Sequence, residues 1–324
     1  MIRNDALIDL GGRYLHELNL SHVKYAFAGG SVGRGDADEF SDLDITICVE
    51  ESEIYENKNL VYEGEFVQVD FVAPIIMNAI SENPLEYRYL LESKPLYDPL
   101  GNFKAIQNHA CQYFGSTVGR METLSQWTKL VEQRKQRAIQ SIDQNIPYSA
   151  TVAGGAAWAD AAFMAMFFAS GSCSTGKLIP WMETNYEFQI IKDICKWLNV
   201  SDEDVPLILR TVERFREFLQ GQYPDRANDF VLSPLQDALN AKKAKRLVNT
   251  GQLANLAWQF SGEAFWLYLE TSNGLSLDEY VERLPKPLAM DLERIGFAKL
   301  DSFSIHELSR VADELMLRIK GDSL

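Results

Sequence analysis

Short apolar runs and helical periodicity divide the chain into two parts. In the first hundred residues, Val23–Ala28, Leu43–Val49 and 66–72 are apolar, rich in β-branched residues and bounded by turn residues, so each predicts a strand. Residues 94–101 are short, extended and contain two prolines, which favours a final strand at the edge of a sheet. An amphipathic helix is expected over residues 5–20, ahead of the first strand.

Beyond residue 102 the strand signals disappear and apolar residues recur at helical spacing. The sequence therefore predicts an α+β domain over 1–102, a small mixed sheet with flanking helices, followed by an all-α domain over 103–324. Ser304 and Glu307 have the spacing of a capping box and predict the start of the last helix. The helices expected in the second domain cover residues 120–145, 150–170, 185–198, 204–219, 234–248, 255–269, 278–283 and 304–319.

The most apolar stretch, residues 150–170, favours a buried helix over a membrane span. A span needs about 20 consecutive apolar residues, whereas Asp160 interrupts this run and two glycines open it. A lone carboxylate on such a helix is costly unless it has a partner. Asp160 is therefore either paired inside the helical domain or faces the first domain, where it would contact an acceptor or act as a base.

Negative charge is concentrated in the first part of the chain. The net charge is −15, and residues 1–100 hold 7 Lys and Arg against 19 Asp and Glu. An acidic chain repels a phosphate backbone, which disfavours a nucleic-acid partner and favours a small, cationic one. The same charge also serves solubility alone, and the composition does not separate these two interpretations.

The four cysteines have neither paired metal spacing nor the pattern of a disulfide framework. The first residues also lack the features of a secretory leader. Free thiols and a cytoplasmic location are therefore expected, without association with a membrane. The sequence does not indicate an oligomeric state.

A glycine turn follows the first predicted strand. Gly29 and Gly30 allow a tight turn and a close approach of the backbone to a ligand. Ser31 comes next, where a helix could begin with free N–H groups. Its hydroxyl and the neighbouring backbone suit an anionic phosphate.

Three acids lie on predicted strands. Asp42 and Asp44 share one face, because side chains of a strand alternate with a period of two, and their repulsion favours a shared hard cation such as Mg²⁺. Asp70 is a single charge within an apolar run and is costly there unless it is paired or binds metal. Beside the other two, it would complete a site for two divalent ions roughly 3.5–4 Å apart. An acidic surface loop, the competing interpretation, explains the acids at 36–39 well but Asp70 poorly.

These residues, in this order, resemble the signature of the DNA-polymerase-beta-like nucleotidyltransferase superfamily. The pattern is most similar to the bacterial aminoglycoside and lincosamide nucleotidyltransferases and to the minimal nucleotidyltransferases, and it covers roughly the first hundred residues. The resemblance implies a catalytic metal site at Asp42, Asp44 and Asp70. Arg34 either shapes the phosphate loop or forms a salt bridge to a loop acid. The residues that would surround the nucleotide phosphates are Gly29, Gly30, Ser31, Arg34 and Ser41.

The resemblance implies transfer of a nucleotidyl group from an NTP to a hydroxyl of a small, antibiotic-like acceptor, with release of pyrophosphate. Two Mg²⁺ ions and ATP are the expected cofactor and nucleotide, and the helical domain would bind the acceptor. Two other functions stay open. One is a toxin–antitoxin-type or regulatory enzyme that modifies a partner protein; the other is a non-catalytic nucleotide-binding module, against which the presence of all three carboxylates argues.

Overall fold

The computed structural model describes residues 3–18, 22–50, 56–226 and 229–322. The chain divides into two compact units, Met1–Gln126 and Trp127–Leu324. The predicted succession of an α+β part and a helical part is confirmed. The first unit extends past residue 102 because the ring of Phe103 stacks on that of Phe27, with centroids 4.5 Å apart.

A mixed sheet of five strands forms the centre of the first unit, in the order β3-β4-β2-β1-β5. β2 runs parallel to β4, and the other neighbouring pairs are antiparallel. The predicted edge position of the proline-containing strand is confirmed, because β5 pairs only with β1 in this order. The strands are β1 (Val23–Ala28), β2 (Leu43–Val49), β3 (Lys58–Tyr62), β4 (Glu65–Val72) and β5 (Lys94–Tyr97).

The strand β3 was not predicted from the sequence. It is joined to β4 by the two-residue turn Glu63-Gly64, in which both residues have positive φ values of 48° and 84°. This is the backbone of a primed hairpin turn, whose usual sequence signal is Asn-Gly or Asp-Gly. Glu63 stands where the usual turn sequence has Asn or Asp, so the turn was not recognised. The strand β3 is half-exposed and has no continuous apolar run that would have indicated it.

One face of the sheet is covered by the first helix. Leu7 and Leu10 of this helix belong to the same buried cluster as Ile45 and Val69 of β2 and β4. Side chains alternate along a strand, so the even-numbered residues of β2 and β4 point to the opposite face. The helices of this unit are α1 (Arg3–Glu17), α2 (Gly30–Arg34), α3 (Met77–Glu82), α4 (Pro84–Tyr87) and α5 (Asn102–Gly115), with a 3₁₀ turn at Arg88–Glu92.

Helix α6 (Thr117–Asp143) begins in the first unit and continues into the second, where all the regular elements of the described residues are helices. Short 3₁₀ turns occur at Lys196–Leu198, Pro224–Arg226 and Phe230–Leu232. The further helices are α7 (Pro147–Ser170), α8 (Thr175–Met182), α9 (Glu187–Ile194), α10 (Val205–Gln222), α11 (Pro234–Asn249), α12 (Leu253–Thr271), α13 (Leu277–Arg283), α14 (Lys286–Arg294) and α15 (Ser302–Asp322).

Helix α7 is the apolar stretch predicted as a buried helix. Most of its side chains are buried, and the Asp278 carboxylate caps its first turn by accepting the N–H groups of Tyr148 and Ser149 at 3.0 and 2.9 Å. By length and composition α7 is the one helix among the described residues that could cross a membrane. Its burial within the unit suits a core helix, because a helix that is apolar on all sides needs partners on all sides.

The capping box predicted at Ser304 is wrong. Helix α15 begins earlier, and Asp301 accepts the N–H of Ser304 at 2.7 Å. A capping box is present instead at Ser276 and Glu279, at the start of α13. Both Ser-x-x-Glu segments have the required spacing, and the acid three residues before Ser304 competes successfully for the helix start.

Candidate active site

The glycine turn leads from β1 into the short helix α2. Gly30 has a φ of 55°, a left-handed conformation that glycine adopts without the strain of a side chain. The Gly29 N–H donates to the carbonyl of Asp44 at 3.0 Å, and the Gly33 N–H donates to Gly29 at 2.7 Å. The turn is therefore fixed to the start of β2, where the paired acids lie.

Asp44 lies directly on the backbone of this turn. A Cβ atom placed on Gly30 would come within 2.0 Å of Asp44 Oδ2. A ligand that binds along the turn at this glycine would therefore meet the Asp44 carboxylate. The glycine turn and Asp44 therefore lie side by side, and their roles towards phosphate and metal stay predictions.

The parallel pairing of β2 and β4 places Asp44 and Asp70 on the same face of the sheet. Asp44 is in register with Gln68, and Thr46 with Asp70. Asp42 lies one residue before β2, and its charge, like that of Asp70, acts on the Asp44 carboxyl. The Asp70 side chain is exposed, and Asp70 lies two residues after Gln68, the partner of Asp44 on β4. The register places Asp70 on the strand next to that of Asp44, and a metal site shared by the three acids stays a prediction.

The electrostatics of the site centre on Asp44. Burial of its carboxyl, followed by the charges of Asp42 and Asp70, raises the pKa of Asp44 to about 7, against the opposing effect of Arg34. Burial also raises the pKa of Asp70. A carboxyl whose charged form is disfavoured in this way gains from a bound cation, which reverses the effect of its acidic neighbours.

Carboxylates have the right chemistry for a divalent cation, and those of Asp44 and Asp70 share one face of the sheet. Within the ranges that the structure describes, no three His, Cys, Asp or Glu side chains are grouped closely enough to hold a metal ion. Carboxylate oxygens are the ligands that Mg²⁺ prefers. Asp42 and Asp44 would therefore be the first ligands, with Asp70 joining them from the neighbouring strand.

Ser31 and Arg34 lie on α2 next to these acids. The Ser31 carbonyl accepts the N–H groups of Gly35 and Asp36, both at 3.0 Å, which ends the helix after one turn. The Arg34 Nε lies 3.3 Å from a carboxylate oxygen of Asp36. Arg34 thus forms the salt bridge to a loop acid that the sequence allowed, while its charge also acts on Asp44.

Ser41 is buried at the end of the loop that leads into β2. Its hydroxyl donates to Asp38 Oδ1 at 3.0 Å and accepts the Asp38 N–H at 2.9 Å. Asp38 Oδ1 also accepts the N–H of Phe40 at 3.0 Å. The hydroxyl predicted to meet phosphate is therefore occupied in closing the loop before Asp42.

Arg3 is a residue of this site that sequence reasoning missed. Its guanidinium donates to the carbonyls of Asp38 and Ser41 at 3.2 and 3.1 Å, and binds both carboxylate oxygens of Glu65 at 2.6 and 2.7 Å. Arg3 therefore connects the loop before Asp42 to the first residue of the strand that carries Asp70. No local pattern marks it, because its partners lie 35 to 62 positions away.

Asp160, the candidate base or acceptor contact, lies on α7 in the second unit. Its Oδ2 accepts from Arg134 Nε of α6 at 3.3 Å, and its side chain is 25% exposed. This is the paired state that the sequence offered as one of two explanations.

Comparison with known protein families finds a match within the first unit. Residues 13–97 match the family described as nucleotidyltransferase domain. This segment is therefore similar to a nucleotidyltransferase domain. It contains the whole five-stranded sheet, the glycine turn and all three acids.

Two further comparisons concern the chain as a whole. No curated protein matches it. A crystal structure of a nucleotidyltransferase-like protein from Exiguobacterium sibiricum aligns with 92% of this chain and 91% of that chain, at 12% identity and a TM-score of 0.36. The similarity to aminoglycoside and lincosamide nucleotidyltransferases stays a prediction.

Proposed function

We propose that the protein transfers a nucleotidyl group from an NTP, with ATP as the nucleotide, to a hydroxyl of a small, antibiotic-like acceptor. The observation that supports this most directly is the contact of the Asp44 carboxylate with the glycine turn, within a nucleotidyltransferase domain. A triphosphate bound along the turn would lie next to the Asp44 carboxylate. The acidic character of the first hundred residues favours a small or cationic acceptor over nucleic acid.

In the proposed reaction the acceptor hydroxyl oxygen attacks the α-phosphorus of the NTP. The bond from that phosphorus to the bridging oxygen breaks, and pyrophosphate leaves with the electron pair. The Gly29-Gly30-Ser31 segment holds the leaving phosphates by backbone N–H groups and the Ser31 hydroxyl. Asp70 accepts the proton of the hydroxyl, a role that its exposure and its raised pKa favour.

Asp42, Asp44 and Asp70 would hold two Mg²⁺ ions. When bound, these ions neutralise the triphosphate charge and lower the pKa of the acceptor hydroxyl. Ser41 and Arg34 act in this proposal by holding the loop and the acids in place. Acceptor binding is assigned to residues 103–324, and the protein is taken to work in the cytoplasm.

The test measures pyrophosphate release by the purified protein with each NTP and Mg²⁺, against aminoglycosides, lincosamides and cellular proteins. Asp42→Asn and Asp44→Asn should each abolish release, and chelation of Mg²⁺ should do the same. Asp9→Asn is the matched control, because it removes an equal charge from an exposed position of α1. Full turnover in excess chelator, or in Asp44→Asn, would contradict the proposal; modification of a protein instead of a small molecule would select the regulatory alternative.

A further inference from the structure

Helices α10 and α11 of the second unit border a cavity of about 390 Å³. The positions that line it recur every three or four residues, from 209 to 220 on α10 and from 237 to 244 on α11. This spacing corresponds to one face of each helix. Phe260 of α12, which is 4% exposed, completes the wall. The proposed nucleotidyl transfer does not use this cavity.

Arg216 is the one cation among the residues that line the cavity, all of which the structure describes. It is 3% exposed, and each nitrogen of its guanidinium already has an acceptor. The Nε binds the Asp237 carboxylate, Nη1 donates to Glu263 Oε1 at 3.1 Å, and Nη2 donates to the Ser233 carbonyl at 3.2 Å. The cavity therefore does not suit an anion, because its guanidinium is paired with two carboxylates.

Two amide side chains in the wall keep an acceptor without a partner. Asn240 Nδ2 donates to Glu263 Oε1 at 2.9 Å, and Gln220 Nε2 donates to the Leu232 carbonyl at 2.8 Å. These partners only accept, so the amide nitrogens must face them, and neither amide oxygen accepts a hydrogen bond from a described residue. Asn240 is 7% exposed, and its Oδ1 keeps a solvent-accessible surface. Because Asn240 lies in the middle of the α11 face that borders the cavity, this open acceptor belongs to the cavity wall.

Carboxylates add negative charge to the same wall. Glu213 and Glu217 are exposed, lie one turn apart on α10, and have no ion pair among the described residues. Like charges at this spacing destabilise a helix, so a cation between them is favourable. Asp237 of α11 is a third exposed acid. The buried side chains of Val212 and Ala244 supply an apolar part of the wall.

We propose that this cavity binds a short aliphatic diamine, a cation whose primary ammonium groups donate hydrogen bonds and accept none. One ammonium would donate to Asn240 Oδ1, and the other would lie between Glu213 and Glu217, where charge-assisted hydrogen bonds form. The methylene chain would contact the apolar part of the wall. Every residue that lines the cavity lies in the second unit, so the proposal does not rest on nucleotidyl transfer.

Putrescine is the probe, and its bis(trimethylammonium) analogue of the same chain length is the matched control, because it keeps both charges but has no N–H donor. The full-length protein is titrated with each by calorimetry, at physiological salt and without nucleotide or Mg²⁺. Putrescine should saturate the wild type, and the analogue should bind at least about tenfold more weakly, the effect of losing roughly 1.4 kcal/mol. In Asn240→Leu the ratio of the two association constants should fall about fivefold, as expected for loss of one hydrogen bond. Asp44→Asn should bind putrescine as the wild type does, which separates the cavity from the acids of the first unit.

Ala241→Leu fills the cavity from an exposed position of α11 and should weaken putrescine at least about tenfold. Ala238→Leu is its control, because Ala238 is exposed on the same helix and does not line the cavity. Glu213→Gln combined with Glu217→Gln should weaken putrescine by a similar factor without lowering the melting temperature, since it removes a repulsion. Glu203→Gln, at an exposed position outside the cavity, should have no effect.

Melting temperatures identify any variant that fails to fold, and the remaining cavity variants then decide. The proposal is overturned if putrescine does not saturate the wild type or if the analogue binds equally well. It is also overturned if the cavity variants bind normally, or if Asp44→Asn abolishes binding.

Discussion

Gly30 and Asp44 are in contact across the glycine turn, where a Cβ on Gly30 would stand 2.0 Å from Asp44 Oδ2. The turn is therefore shaped around a carboxylate as well as around any phosphate that it binds. Either residue constrains the other, since Asp44 cannot keep its place beside a larger residue at position 30. A defect at the turn should consequently appear at the acids.

Gly30→Ala should reduce both stability and transfer. Alanine in a left-handed conformation costs about 1–2 kcal/mol, and its Cβ displaces the Asp44 carboxylate from the turn. Urea unfolding and pyrophosphate release measure the two effects. Gly12→Ala is the control, because Gly12 lies in α1 with no atom within 4 Å of its Cβ position, and it should be neutral or stabilising.

Arg3→Met should weaken nucleotide binding severalfold, although Arg3 lies outside the predicted site. The substitution removes the guanidinium that holds the Asp38 and Ser41 carbonyls to Glu65, so the loop before Asp42 loses its connection to β4. Titration with NTP and Mg²⁺ measures the loss, and addition of excess Mg²⁺ should recover part of it.

The matched control for Arg3 is Arg13→Met on the same helix. Arg13 also binds both oxygens of one carboxylate, that of Glu63, at 3.1 and 2.7 Å, but its partner lies in the β3–β4 turn and the pair is exposed. Exposed pairs contribute little to stability. Equal loss of nucleotide affinity in both variants would show that Arg3 acts only through general stability.

The sequence predicted the parts of the site that depend on local pattern. The limits of β1 and β2 follow from short apolar runs, and the glycine turn and the acids follow from residue type and spacing. The shared face predicted for Asp42 and Asp44 followed from strand geometry alone, and the observed β2 begins only after Asp42. The face of Asp70 needed one further assumption, the parallel pairing of β2 with β4, which the structure supplies.

Contacts between residues far apart in the chain could not be predicted from the sequence. Nothing near Arg3 indicates that it reaches the loop at Ser41, and nothing near Ser41 indicates that Asp38 occupies its hydroxyl. The predicted start of α15 was wrong because Ser304 and Asp301 both offer an acceptor at the helix terminus. Only the packed backbone selects Asp301. Patterns give the local conformation, whereas the choice among competing partners is tertiary.

Ser31→Ala should weaken NTP binding by about 1.5–3 kcal/mol, the value of a hydrogen bond to a charged group. Binding of the corresponding NMP should hardly change, because NMP lacks the phosphates that the turn is proposed to hold. Calorimetric titration of both nucleotides measures the difference. Equal losses for NTP and NMP would indicate a folding defect and would remove the phosphate role from Ser31.

Asp160→Asn should leave the rate of transfer unchanged if its role is to pair with Arg134. The pair is partly exposed, so its loss should cost no more than about 1 kcal/mol of stability. Arg134→Met should have a similar effect, and the double variant should be no worse than either single one. A large loss of rate in Asp160→Asn, with normal melting and with Arg134→Met active, would instead assign Asp160 to the acceptor or to the base.

In chelator, the stability of the protein should fall as the pH rises through about 7, and Asp44 should cause the fall. The folded-state pKa of Asp44 is about 7, above its ordinary value, because of burial and the charges of Asp42 and Asp70. The native state therefore keeps a proton that the unfolded chain has released at a pH above about 4. Stability from this group is complete below pH ~4 and is lost between there and about 7. The loss amounts to a few kcal/mol, since each pKa unit corresponds to about 1.4 kcal/mol.

Urea unfolding between pH 4 and 8 should show this slope in the wild type and in Asp9→Asn, and a much smaller slope in Asp44→Asn. Mg²⁺ should reduce the slope in the wild type, because a cation at Asp42 and Asp44 favours the ionised form. If the stability of the wild type instead rose over this pH range, and rose by the same amount as that of Asp44→Asn, the assignment of Asp44 as the buried acid of the site would be contradicted.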